Sequence, residues 1–144
     1  MDFKHIAWDW NGTLLDDAEA CSLALNRLLE KRNLGSVSID EYRDRIEFPV
    51  KKLYDESGFD FGRESYEDIC DEYIKNYILN APLIRLQKDA EEVLGKLKNQ
   101  GFEQHIVSAS GYDILIEQIE QYGLRHFFTY ILGQKDNQAD SKAH

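Results

Sequence analysis

The sequence predicts an α/β fold, a parallel sheet with helices, in which a helical segment interrupts the chain after its first strand. Three observations carry this. Short apolar runs at residues 3–8 (FKHIAW), 104–108 (QHIVS) and 128–132 (FTYIL) read as strands. Segments of helical period alternate with the later strands, the pattern of parallel pairing through right-handed crossovers. Between the first strand and that alternation, residues 17–81 carry several helical patterns in succession, too many for one crossover.

The elements follow in order. The first strand is apolar, is bounded by an Asp-rich turn, and is expected to be buried. Asp16 or Asp17 can cap a helix running to about Lys31, with Leu23, Ala24 and Leu28 on one face. Residues 33–37 break it, and Ser38 with Glu41 makes the capping-box pattern of a second helix. Pro49 suits the first position of a third helix and Gly58 its end. The fourth is the clearest: Tyr66, Ile69, Cys70, Tyr73, Ile74, Tyr77 and Ile78 form a sustained stripe that Pro82 stops. An amphipathic helix over 89–100 then ends at Gly101, and another over 112–122 ends at Gly123, with the second and third strands following them. The predicted architecture is a Rossmann-like core of three strands, residues 1–16 and 82–144, with a helical cap inserted at 17–81.

Composition narrows the function classes. The chain has 144 residues and is 42% hydrophobic, with two prolines and nine glycines, which suits a folded globular protein. No apolar run approaches the ~18 residues of a membrane span, and the N-terminus lacks the pattern of a secretory signal. A net charge of −10 repels nucleic acid and anionic membranes. It also repels phosphorylated molecules, so any phosphate site must rely on a metal ion and local donors. Cys21 and Cys70 lack metal-ligand spacing and suit unbridged thiols in a reducing cytoplasm, with a disulfide between them as the alternative. His5, His105, His126 and His144 have no recognisable metal spacing, and His105 is expected to be a packed or edge residue.

The first strand runs into Asp9-Trp10-Asn11-Gly12-Thr13-Leu14-Leu15. This places a carboxylate at the C-terminal end of a parallel strand, where open α/β sheets bind ligands. An ordinary strand-to-turn boundary would also use Asp, Asn and Gly. A calcium loop starting at Asp9 needs glycine at its sixth position and glutamate at its twelfth, but Leu14 and Ala20 stand there.

The pattern Asp9-x-Asn11-Gly12-Thr13-Leu14 after an apolar strand resembles the first motif of haloacid dehalogenase-type phosphatases. The resemblance implies that Asp9 attacks phosphorus to form an aspartyl phosphate. It places Asn11 at the acid/base position, where the family carries an acidic residue. It implies Mg2+ held by Asp9 and the carbonyl of Asn11, and phosphate contacts from Asn11, Gly12, Thr13, Ser108 and Ala109. Ser108 matches the family's strand ending in Ser or Thr, with the next helix N-terminus, near Ser110 and Gly111, adding donors. Lys142, or alternatively Lys135, is expected to neutralise the transferring group. The family's further strand ending in Gly-Asp has no match up to His144, so the chain is expected to stop within its core domain. The position of the cap is similar to that of the phosphoglycolate phosphatase branch, with a small phosphorylated metabolite as substrate and Arg43, Arg45, Lys51, Lys52 and Tyr54 of the cap as candidate contacts. The alternative is a catalytically degenerate binding or regulatory protein of the same family, or an inactive fragment. The first strand, left at a sheet edge, is expected to promote self-association.

Overall fold

The computed structural model describes residues 3–46 and 50–135. They form two compact units: a helical unit, Asp17–Ile84, and a sheet unit made of the described residues on either side of it.

The sheet unit holds three parallel strands, β1 (His5–Trp8), β4 (Glu103–Gly111) and β5 (Phe128–Gln134), in the order β1-β4-β5. A second, antiparallel pair joins β2 (Leu15–Asp16) to β3 (Arg85–Leu86). Two residues per strand are too few to leave a periodic signal, so the sequence did not predict this pair. Helix α5 (Ala90–Asn99) precedes β4 and helix α6 (Tyr112–Gln121) connects β4 to β5. Both lie on one face. Gln104 sends its Nε2–H to the Leu94 carbonyl of α5 at 2.9 Å. A Cβ at Gly133 would meet Leu115 of α6 at 3.1 Å. The register puts Gln104, Ile106 and Gly133 on that same side of the pleat. Alternation follows: Gln104, Ile106 and Ser108 are buried, whereas Glu103 is exposed and His105 and Val107 are half-buried.

Strand β1 departs from the expectation of a buried strand. His5 and Ala7 are exposed and Ile6 and Trp8 half-buried. The cause is its place at the sheet edge together with the alternation of its side chains.

The helical unit contains α1 (Ala18–Lys31), α2 (Ile39–Arg45), α3 (Lys51–Ser57) and α4 (Tyr66–Leu79). The capping box forms: Glu41 N–H donates to Ser38 Oγ at 3.1 Å and Ser38 N–H to Glu41 Oε2 at 2.7 Å. Gly58 closes α3 in the left-handed region at φ 93°. Pro49 lies outside the described residues. Asp17 stands at the N-cap of α1 but makes no cap bond. Its buried carboxylate instead accepts from Tyr77 Oη at 2.9 Å, which ties α1 to α4. Asp16 is drawn into β2, where it meets Arg85 at 3.2 Å. Cys21 and Cys70 are free and buried. Burial and the neighbouring Asp17 charge push the Cys21 thiol up to about 12. No helix among the described residues is long and apolar enough to cross a membrane.

Candidate active site

The loop after β1 is built around one carbonyl. Thr13, Leu14 and Leu15 all point their N–H groups at Trp10 O, at 3.1, 3.1 and 3.0 Å, and Gly12 N–H reaches Leu15 O at 2.8 Å. Gly12 makes this turn possible at φ 74°, a conformation costly for residues with a Cβ. The backbone N–H groups of Gly12 and Thr13 therefore serve the turn itself, and the exposed Thr13 offers its side chain outward.

Asp9 and Asn11 flank a fully buried Trp10. The Trp10 backbone N–H donates to Asp9 Oδ1 at 2.9 Å. The Trp10 indole N–H donates to Gln118 Oε1 of α6 at 3.0 Å. A large side chain locked on the buried side thus orients its two polar neighbours on the loop. A tryptophan between two polar loop residues was the sequence signal for this anchor, but its partner lies 108 residues away.

The C-terminal end of β4 meets the same loop. Asn11 Oδ1 accepts from Ser110 Oγ at 2.6 Å and from Ser108 Oγ at 3.4 Å. Ser108 Oγ also accepts from Ser110 N–H at 3.1 Å. Ser108 and Ala109 are buried. Ser110 was expected only as the start of the next helix, whose N-terminus would add donors, and not for its hydroxyl. Its position two residues beyond Ser108, on the same face of a strand, was the available signal. The strand also runs further than expected: α6 begins at Tyr112, after Gly111.

The structure therefore brings Asn11 and Ser108 together beside Asp9 and adds Ser110. Lys142 lies outside the described residues. Lys135 is exposed and directly follows β5. In the helical unit, four of the expected contact residues are occupied locally. Arg43 pairs with Asp40 at 3.5 Å, Arg45 donates to Ser57 Oγ at 3.3 Å, Lys51 pairs with Asp55 at 3.5 Å, and Lys52 lies 4.0 Å from Glu56. Tyr54 is buried against Phe59 and Tyr66, so it has no surface to offer.

Residues 6–142 match the Haloacid dehalogenase-like hydrolase family. The chain belongs to that family. Among curated relatives it is 25% identical to a phosphoglycolate phosphatase of Vibrio parahaemolyticus, over 92% of this chain and 62% of the relative. It is 27% identical to a phosphoglycolate phosphatase of Aquifex aeolicus, over 90% of this chain and 60% of the relative. The chain thus spans about three-fifths of these relatives' length. Among solved structures, a haloacid dehalogenase-like hydrolase of Streptococcus pneumoniae superposes with TM-score 0.78 at 16% identity, covering 92% of this chain and 62% of that one. Protein Tyrosine Kinase A of Mycobacterium tuberculosis superposes with TM-score 0.79 at 17% identity, covering 91% and 60%. At these identities the likeness concerns the fold alone, and a fold shared with a protein named a kinase does not fix the reaction.

Proposed function

We propose that the protein is a magnesium-dependent phosphatase that moves the phosphoryl group of a small phosphate monoester to Asp9 and then to water. One observation carries the reading: the Asp9 loop and the end of β4 meet through Asn11, Ser108 and Ser110 at the C-terminal ends of two neighbouring parallel strands. The likeness to phosphoglycolate phosphatases supports the substrate class. The helical unit would serve as the cap, on residues 17–81.

In this reading the Asp9 carboxylate, oriented by the Trp10 N–H, attacks phosphorus in line. An Asp9 O–P bond forms as the bond to the leaving alkoxide breaks. Water then attacks the phosphoryl group, releasing phosphate and restoring the carboxylate. Asn11 cannot supply a proton at neutral pH, so the alkoxide takes one from solvent. The Ser108 and Ser110 hydroxyls hold the amide oxygen and so turn its NH2 group towards the reacting oxygens. The Ala109 backbone and the exposed Thr13 side chain would contact the phosphoryl group, Ser108 would turn its hydroxyl from Asn11, 3.4 Å away, to join them, Gly12 would shape the loop, and Lys142, or Lys135, would neutralise the charge.

The donor set fits magnesium in part. A carboxylate from Asp9 and the Asn11 carbonyl are two hard oxygen ligands, and magnesium commonly completes its shell with waters and phosphate oxygens. It would offset the negative charge of the transferring group. Among the described residues, however, no group of three or more His, Cys, Asp or Glu ligands includes Asp9. Slow turnover by the 144-residue chain is therefore expected. Two buried, unbridged thiols support a cytoplasmic setting, and the edge position of β1 supports self-association by strand pairing.

The test is acid-quenched incubation of the chain with p-nitrophenyl phosphate and Mg2+, with peptide mass mapping. A phosphoryl group on Asp9, absent in Asp9→Asn, together with slow release of nitrophenol, is the expected outcome. Ester binding without any label or Asp9-dependent release would sink the enzymatic reading. It would favour a phosphate-binding protein of the same fold, a second reading that Asn11 in the acid/base position supports.

A further inference from the structure

His5 and Glu103 are register partners across β1 and β4, and His105 lies two residues along β4 from Glu103. Because side chains alternate along a strand, all three fall on the sheet face opposite α5 and α6. His5 Nδ1 lies 3.1 Å from His105 Nε2 and 3.6 Å from Glu103 Oε2, and the three ligand atoms all lie within 4.8 Å of one another. We infer that His5, Glu103 and His105 form a binding site for a first-row transition-metal dication. It lies at the N-terminal ends of β1 and β4, about 13 Å along the strand from the Asp9 end.

The ligand chemistry selects the ion class. Two imidazole nitrogens with one carboxylate oxygen suit zinc, nickel or copper, whereas magnesium prefers an all-oxygen shell. Two ligands each about 2.0–2.1 Å from a tetrahedral zinc lie roughly 3.3 Å apart. The observed separations of 3.1 and 3.6 Å bracket that value. His105 has only one nitrogen to give. Its Nδ1 is buried without a hydrogen-bond partner, and its Nε2 is the atom aimed at His5. Tyr130 flanks its ring at 5.4 Å between centroids.

Without a cation the two histidines share a proton. Their rings are 15° from parallel with centroids 5.4 Å apart. A nitrogen–nitrogen distance of 3.1 Å at that separation requires the rings to meet edge to edge, with the N–H pointing along the line between them. A dication takes the place of this proton. Each ring turns by roughly 40° so that both lone pairs converge on one ion. With His5 as the donor, its proton leaves Nδ1 and is replaced through solvent at Nε2, so the imidazole stays neutral. The bound ion would then clip edge strand β1 to β4. Waters would fill the remaining positions.

The experiment is equilibrium dialysis of the intact chain against Zn2+ with excess Mg2+ present to occupy oxygen-rich sites, with thermal melts in parallel. One equivalent of zinc and a raised melting temperature are expected. His5→Gln and His105→Gln should each weaken binding by about tenfold or more and remove the thermal gain. His5 is exposed, so its variant tests the site without disturbing the core. Absence of stoichiometric uptake, or a smaller loss in either histidine variant, overturns the assignment and leaves a plain histidine–histidine hydrogen bond.

Discussion

In the helical unit a guanidinium forks between carboxylates, whereas in the sheet unit indoles and carboxamides share neutral hydrogen bonds. Arg32 reaches Glu64 through Nε at 2.7 Å and Nη2 at 2.6 Å, Glu72 through Nη2 at 2.7 Å, and the Leu28 carbonyl at 3.0 Å. In the sheet unit Trp8 donates to Gln104 at 2.9 Å, Gln104 to the Leu94 carbonyl, and Trp10 to Gln118. The first lock depends on charge and therefore on pH. The second does not titrate, and it adds no charge beside a loop proposed to receive a phosphate group. Where the chain already carries a net charge of −10, neutral bracing near Asp9 avoids further repulsion of an anion.

The largest expected effect tests the neutral side of this comparison at Asn11. Asn11→Asp introduces a titratable group where the serine hydroxyls hold an amide. General acid–base assistance contributes about 10²–10⁴-fold. Turnover of alkyl phosphates should rise more than that of aryl phosphates, whose leaving groups need little protonation, and the Asp9 phosphoenzyme should decay faster. A side-by-side rate comparison on both ester types checks it. Unchanged rates and lifetimes would mean that residue 11 does not hold the acid/base position.

The same division separates what was legible in the sequence from what was not. The helical unit is largely written in local signals. Ser38 and Glu41 are three residues apart, Ser65 caps the helix that its stripe announces, and Gly58 takes a left-handed turn that favours glycine. Local reasoning failed at Asp17, because a residue 60 positions away claims its carboxylate. The strands, their parallel pairing and the Asp9 loop were legible from the alternation of strands with helices and from turn chemistry. The bracing of the loop was not. Trp10–Gln118 and Asn11–Ser110 join residues about a hundred positions apart; helix α6 brings the first pair together and the strand β4 the second. The grouping of His5 with Glu103 and His105 has the same origin: without the β1–β4 register, sequence spacing cannot pair them.

The charged lock gives the next largest effect, on stability. Hydrogen bonds from Arg32 hold the Glu64 carboxyl below its usual range. For Glu72, burial works the other way, but the bonds from Arg32 and Lys31 outweigh it and lower the value. Both groups bind protons less readily when folded. Their stabilisation is thus fully present above the unfolded value of about 4.3 and is lost as pH falls through the lower folded values. Arg32→Met should cost about 2 kcal/mol near neutral pH, discounted because both carboxylates are partly in water. Urea denaturation from about pH 7 to pH 3 should show the gap between parent and variant closing below about pH 4.3. A gap that stays constant to low pH would mean that Arg32 acts through packing rather than charge.

Gln118→Leu gives the smallest stability change and the sharpest test of the neutral lock. Leucine fills similar space but removes the acceptor for a fully buried indole N–H. Leaving that donor unpaired should cost about 1–2 kcal/mol, with no pH dependence between about pH 7 and pH 3. Gln118→Glu keeps an oxygen at the same reach and should recover much of the loss near neutral pH. The protonated carboxyl still offers its carbonyl oxygen to the indole, so the recovery should persist to low pH, in contrast to the charged lock of the helical unit. Phosphoryl capture by Asp9 reads the local consequence, because a loosened Trp10 frees the backbone that orients Asp9 and Asn11. Slower capture in Gln118→Leu, restored in Gln118→Glu, would assign Gln118 a positioning role. Equal capture in both variants, alongside the expected stability loss, would confine Gln118 to the fold and leave the loop held by its own turn, the convergence of three N–H groups on Trp10 O.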